Sequence, residues 1–215
     1  MDKLPGQEKD GETEQKILEA AQSVFIRRGT AGARMAEIAQ EAGVNQALLH
    51  YYFRTKERLS IAVFSKIAGR LFPSLRQLLG SDVSLDDKID RLVALYLDNL
   101  SKHPYLPGYV LSELHHHPER IPQLLEFVLG APPKAVMSPV FEKLGEQIDE
   151  RVAAGTMRPI SPEQFAINLI SLCIFPFAAR PMLRMVFGMD DDAFARFIEQ
   201  RKTELPEFFR NALRP

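Results

Sequence analysis

The 215-residue chain has a single cysteine, Cys173, so no disulfide can close within it, which suits a reducing compartment. Cys173 falls in an apolar stretch and reads as a buried, inert thiol. No HExxH, GxSxG, CxxC or glycine-rich phosphate loop occurs, and no acidic pair is set between apolar neighbours. Neither catalysis nor a cofactor is expected. His115-His116-His117 is the only histidine run, but successive helical side chains point about 100° apart and do not share one ligand geometry, so no metal is expected. The longest apolar run, Phe165 to Ala179, is interrupted by Asn168, Ser171 and Pro176 and is shorter than the ~20 residues a bilayer requires. Met1 to Glu12 is polar and lacks the apolar core of a signal peptide, so residues 1–12 are expected to form a disordered arm. These absences describe a cytoplasmic protein without a membrane partner. From Ser81 onward there is no strand alternation, and the chain has no internal repeat. The net charge of −1 gives no overall sign of a polyanionic partner.

What the chain does contain is helical periodicity. A first helix is expected from about Glu14 to Arg28, with Ile17, Ala21, Val24 and Phe25 on one face, Thr13 as N-cap and Gly29 ending it. Met35 to Glu41 reads as a short helix running into Gly43, which tolerates the left-handed backbone of a helix end. Asn45 stands where the next helix, Gln46 to Tyr52, needs an N-cap, and Thr55 can cap a third. Two short helices joined by a tight glycine-containing turn make a helix-turn-helix. Val44, Leu48 and Leu49 pack the pair, while Gln46, Ala47, His50 and Tyr51 occupy the other face with groups suited to base edges and phosphates. Between Thr13 and Leu59, 7 Lys and Arg stand against 5 Asp and Glu, a modest basic excess.

Ile17, Ala20-Ala21, Phe25, Gly29, Ile38-Ala39, Ala42-Gly43-Val44, Leu48, Tyr51-Tyr52-Phe53, Lys56 and Leu59 together resemble the DNA-binding domain of the TetR family of transcriptional regulators. The resemblance spans about Thr13 to Leu59. It implies that Gln46, Ala47 and Tyr51 enter the major groove and that His50 and Lys56 meet phosphate. The family usually has two hydroxyl residues where this chain has Arg34-Met35. The missing cap costs about 1 kcal/mol, and Arg34 is read as a compensating phosphate contact.

The remainder reads as all-α: a long fourth helix from Lys56 kinked at Pro73, then Asp86–Ser101, Pro107–His117, Ile121–Gly130, Pro139–Ala154, Glu163–Phe187 and Asp190–Leu213. The expected organisation is an arm (1–12), a helix-turn-helix domain (13–58) and a helical effector-binding and dimerisation domain (59–215). Tyr52 and Phe53 are assigned to the core. Leu71, Leu92, Tyr96, Tyr109, Leu114, Leu124 and Phe127 are candidates to line an effector pocket, although core packing explains each of them equally. Two apolar helices late in the chain exceed what a monomer core needs. Phe141, Leu144, Ile148, Val152, Phe165, Leu169 and Leu172 are therefore candidates for a two-fold four-helix interface. The resemblance implies a homodimeric regulator, a repressor released from a palindromic double-stranded operator by a small apolar or amphipathic effector. A different class stays open: an all-helical ligand-binding protein or enzyme with a vestigial helix-turn-helix. So does a DNA-binding dimer that takes no effector.

Overall fold

The structure, a computed structural model, describes the backbone of residues 5–116, 118 and 121–215. Side chains are described within that set except at residues 5–10, 70, 113, 116, 123, 124 and 127. Every regular element among the described residues is a helix. In chain order they are α1 Pro5–Gly32, α2 Met35–Glu41, α3 Gln46–Phe53, α4 Lys56–Leu79, α5 Leu85–Lys102, α6 Leu106–His116, α7 Ile121–Leu129, α8 Pro133–Ala153, α9 Pro162–Ala178, α10 Arg180–Phe187 and α11 Asp191–Ala212.

Several boundaries differ from the sequence expectation, each for a local reason. α1 starts at Pro5, so the backbone from Pro5 to Glu12 is helical where an arm was expected, and Thr13 lies within the helix rather than capping it. Gln7, Glu8, Lys9 and Glu12 are good helix formers, and proline suits a first helical position. Residues 1–4 of the expected arm lie outside the described set. Gly29, at φ 68° and ψ 166°, breaks α1 where the sequence placed its end. α4 runs on through Pro73 to Leu79. The single helix expected from Glu163 to Phe187 is two, α9 and α10, bent by 67°. Pro181, in the first turn of α10, removes an amide donor that a continuous helix would need. No single helix among the described residues is long and apolar enough to cross a membrane.

α1 to α3 pack on one another and on the first turns of α4 through Ile17, Phe25, Ile38, Leu49 and Leu59, all fully buried. α4 then continues into the larger bundle with Val63, Ile67, Leu75 and Leu79 buried along it. α9 and α11 run antiparallel: Phe165 packs edge-on against Phe209 at one end and Phe177 against Phe194 at the other. α5 fills the centre with Ile89, Leu92, Val93 and Leu97.

One buried charge organises this core. Lys88 of α5 is 0% exposed. Its ammonium donates to the Leu79 carbonyl at the end of α4 (2.5 Å) and to the Gln147 side-chain oxygen of α8 (2.7 Å). Gln147 in turn donates to the Val83 carbonyl at 3.0 Å. A positive charge at a helix C-terminus is favourable, and here it ties α4, α5 and α8 at one point. Burial pushes the Lys88 amine below its ordinary 10.5. Replacing Lys88 with Met leaves the buried Leu79 carbonyl and the half-buried Gln147 oxygen without their donor and should cost about 1–3 kcal/mol in urea unfolding. The sign of its pH dependence follows from linkage. Below 10.5 and above the lowered native value, the unfolded chain binds the extra proton, so the wild type gains stability as pH rises through that window. The stability difference between wild type and K88M, followed by urea titration at stepped pH, should therefore widen in favour of the wild type toward alkaline pH.

Candidate DNA-binding face and interior cavity

The turn between α2 and α3 has the geometry its residues favour. Gly43 takes φ 67°, where any side chain would be strained. Its amide donates to the Gln40 carbonyl at 3.1 Å, and that of Val44 to the Ala39 carbonyl at 3.0 Å. The Asn45 side chain caps α3 by accepting from the Leu48 amide at 2.7 Å. The Thr55 hydroxyl caps α4 through the Arg58 amide at 3.2 Å. At the head of α2, Arg34 is the N-cap and gives no side-chain hydrogen bond, as the missing hydroxyl required. α1 and α2 are held together on the outside by Arg27, which donates to Glu41 at 2.9 and 3.1 Å. That hydrogen-bonded guanidinium, helped by the Ser23 hydroxyl, holds the Glu41 carboxyl below the usual carboxylate range.

α3 consequently has two distinct faces. Leu49 and Phe53 are buried and Leu48 and Tyr52 half-buried, while Gln46, Ala47, His50 and Tyr51 are exposed. Tyr51 is 75% exposed, and its ring meets Tyr52 edge-on at 5.4 Å. The His50 Nδ1 lies 2.9 Å from the Arg54 carbonyl. A carbonyl only accepts, so Nδ1 carries the hydrogen and Nε2 is left for an outside partner. Arg34 is exposed at the start of α2.

Lys56 behaves differently from the sequence reading. Its ammonium is half-buried and donates to the carbonyls of Ala31 (3.0 Å) and Ala33 (3.3 Å), fastening the α1–α2 connection to the head of α4. Two exposed cations that the sequence reading passed over lie close by in the chain, Arg54 at the C-cap of α3 and Arg58 in the first turn of α4. Arg54 has φ 48° and ψ −50°, the only positive φ at a non-glycine residue among the described residues. With the Thr55 amide bonded to the Phe53 carbonyl, it forms a tight γ-turn. Backbone in this sparsely populated region costs of order 1–3 kcal/mol. Two cations directly after the recognition helix were the signal available in the sequence.

Of the residues expected to line a pocket, Leu92 and Tyr96 are brought together among the described residues. Leu92 and Tyr96 line a void of about 20 Å³ with Leu75, Leu79, Phe165 and Leu169, room for a water molecule and no more. Tyr109 packs on Phe64, Leu71 is half-buried against the core, and Leu114 is 44% exposed. The side chains of Leu124 and Phe127 lie outside the described residues. A larger cleft, about 280 Å³, opens elsewhere, among the start of α5 and the ends of α8 and α11. Two of its three arginines are engaged with acids: Arg151 with Asp86 at 2.7 Å, Arg210 with Asp90 at 2.5 Å.

The expected dimer residues also need correction. Leu144, Ile148, Phe165 and Leu169 are at most 2% exposed within one protomer and offer no surface to a second. Phe141, Val152 and Leu172 are half-buried against the same core. The apolar side chains that α9 and α11 expose are Ile167, Phe175 and Phe208. Cys173 is buried, and burial pushes its thiol up to about 12.

With this geometry in view, the likenesses of the chain are specific. Residues 17–63 match the model of the tetR family of bacterial regulatory proteins, and residues 86–203 match the tetracyclin repressor-like C-terminal domain. The chain belongs to the TetR family. It is 44% identical over 55 residues to the HTH-type transcriptional regulator BetI of Rhizobium meliloti, covering 26% of this chain and 27% of that one. It is 30% identical over 104 residues to the HTH-type transcriptional repressor NicS of Pseudomonas putida, covering 48% and 49%. The chain thus spans half or less of the length of these two curated relatives. A protein of Saccharomonospora viridis solved in complex with choline shares the fold at a TM-score of 0.67 and 18% identity, over 95% of this chain and 99% of that one.

The cap on α3 gives a direct test. Asn45→Ala removes the acceptor for the Leu48 amide and should lower thermal stability by about 1 kcal/mol. Asn45→Ser, which keeps an acceptor, should recover most of it in the same calorimetric comparison.

Proposed function

We propose that the protein is a cytoplasmic, homodimeric, sequence-specific DNA-binding regulator, a repressor rather than an enzyme. One observation supports this above the others. α3 buries its apolar side against α1, α2 and α4 while presenting Gln46, Ala47, His50 and Tyr51 outward on a capped, firmly seated helix. In this reading Gln46, Ala47 and Tyr51 meet base edges in the major groove, and Arg34 and the His50 Nε2 meet phosphate. Lys56 contributes by holding the α1–α2 connection, with one ammonium hydrogen left for a phosphate. Two copies related by a two-fold axis would read a palindrome.

The dimer would form through the outward side of α9 and α11, where Ile167, Phe175 and Phe208 are exposed. A small apolar or amphipathic effector would enter by parting α4, α5 and α9 at the void beside Leu92 and Tyr96. The structural neighbour from Saccharomonospora viridis, solved with choline, is consistent with a ligand-responsive body of this shape. Release of DNA requires only that the effector bind one arrangement of α4 more tightly than the other.

Selection of bound sequences from a random DNA pool with purified protein tests the reading. One recovered palindrome is the expected result, and its half-site spacing reports the separation of the two α3 helices. Recovery of no sequence by folded protein would overturn the reading. Tyr51→Ala should weaken binding to the recovered site by about 1–3 kcal/mol and leave non-specific binding nearly unchanged, as read by titration on specific and scrambled duplexes.

A further inference from the structure

The cleft of about 280 Å³ where α5 starts and α8 and α11 finish is used by none of the roles above. Its floor is apolar: Leu85 and Ile89 of α5, Met157 of the α8–α9 connection and Leu213 at the end of α11 are all at most 4% exposed. Its walls are fastened. The Arg158 amide donates to the Leu213 carbonyl at 2.9 Å, and the Thr156 amide to the Arg151 carbonyl at 3.0 Å. Three guanidiniums, Arg151, Arg210 and Arg214, line the cleft above that floor. The Arg151 Nη1 donates to Asp86 at 2.7 Å and its Nε to the Thr156 hydroxyl at 3.4 Å, while the Arg210 Nη1 donates to Asp90 at 2.5 Å. A guanidinium carries five N–H groups in a rigid fork, so each of these two arginines is held in place and keeps its Nη2 amine free of any bond among the described residues. Arg214 is exposed and has neither an ion pair nor a side-chain hydrogen bond among the described residues. The acids lining the cleft are Asp86, already paired to Arg151, and Glu207, which is exposed and unpaired among the described residues.

We infer that this cleft is a second small-molecule site, separate from the void beside Leu92 and Tyr96, and that it takes a small organic monocarboxylate. The apolar body lies on Leu85, Ile89, Met157 and Leu213, and the carboxylate meets Arg214 and the spare amines of Arg151 and Arg210. The donor inventory decides the sign of the ligand. The unused groups on the arginines are all N–H donors, which suit a planar carboxylate. A cation has Glu207 alone to pair with and three guanidiniums to repel it. The single unpaired cation suits one negative charge better than the nearly two of a phosphate monoester. The volume lies just under the ~300–1,000 Å³ of ordinary ligand pockets, so the body is small, on the scale of one aromatic ring. Such a ligand joins α5, α8 and α11 at one point. Leu85 and Ile89 stand on either side of Lys88 in α5, and Lys88 holds the tail of α4 through the Leu79 carbonyl. Occupancy therefore braces the end of α4 that the buried lysine already fastens, and stabilises the fold. The inference does not depend on the regulator reading.

Isothermal titration calorimetry and thermal melting of the full chain with sodium benzoate test this. Inorganic phosphate supplies charge without an apolar body, and benzyl alcohol an apolar body without charge. Two variants change the charge at the cleft in opposite senses, Arg214→Glu and Glu207→Gln. Both residues are exposed, so each variant should keep the wild-type circular dichroism and ligand-free melting temperature. The expected result is one benzoate bound per chain, with a rise in melting temperature and weaker binding of both control compounds. Arg214→Glu should weaken benzoate by roughly tenfold or more, since it replaces a charge-assisted contact with a repulsive one. Glu207→Gln should tighten it by about threefold, the scale of one exposed charge pair. A merely structural role for these residues does not produce shifts of opposite sign. Absence of benzoate binding up to millimolar concentration would overturn the inference. So would equal affinity in Arg214→Glu, which would place benzoate elsewhere in the protein. Phosphate bound as tightly as benzoate would overturn it in favour of simple attraction of anions to arginines.

Discussion

α4 is the one element that belongs to both halves of the protein, and it is fastened at each end by a lysine donating to main-chain carbonyls. At its head the Lys56 ammonium reaches Ala31 and Ala33. At its tail the Lys88 ammonium reaches Leu79. Between them α4 lends Leu59 to the helix-turn-helix end and Val63, Ile67, Leu75 and Leu79 to the bundle. α1 gives the helix-turn-helix end a second contact with the bundle, where Gln22 bonds to His103 at 3.1 Å and Phe25 meets the Tyr105 ring.

The two fastenings are not of equal strength. Lys88 is fully buried, bonds at 2.5 and 2.7 Å, and sits where the helix dipole favours a cation. Lys56 is half-exposed, bonds at 3.0 and 3.3 Å, and sits at the opposite, unfavourable end of the same dipole. Water competes for it, and the strained turn at Arg54 lies two residues away. Low local stability belongs at the parts of a molecule that move. The asymmetry makes the bundle end of α4 the more firmly held and the helix-turn-helix end the less firmly held.

The helix-turn-helix was legible in the sequence because its determinants are local. Gly43, Asn45 and Thr55 act on amides within three residues of themselves, and short-range chemistry of that kind is written in chain order. Lys88 was not legible. On an amphipathic helix a lysine reads as solvated, and only the fold brings the end of α4 and Gln147 of α8 around it. The break at Ala179 was half legible: Pro176 interrupts the apolar run in the sequence, yet α9 runs on through it to Ala178 and the new helix starts at Arg180-Pro181. The anchoring bonds of Lys56 were not legible for a related reason, since its partners Ala31 and Ala33 lie some two dozen residues upstream and are main-chain groups that no side-chain pattern reveals.

The proposed dimer face shows the limit most clearly. The apolar residues in the last third of the chain read as more than one core needs, yet of those chosen for the surface Leu144, Ile148, Phe165 and Leu169 are the core itself. On α9, Phe165, Leu169 and Cys173 point inward while Ile167 and Phe175 point outward. A helix apolar on nearly all sides must have partners on more than one side, and periodicity alone does not say which side meets the rest of its own chain. The larger, better-aligned residues drew the eye because they are what a core selects. Once Phe165 meets Phe209 edge-on and Phe177 meets Phe194 likewise, the inward side of α9 is taken, and what remains apolar there and on α10 is exposed surface.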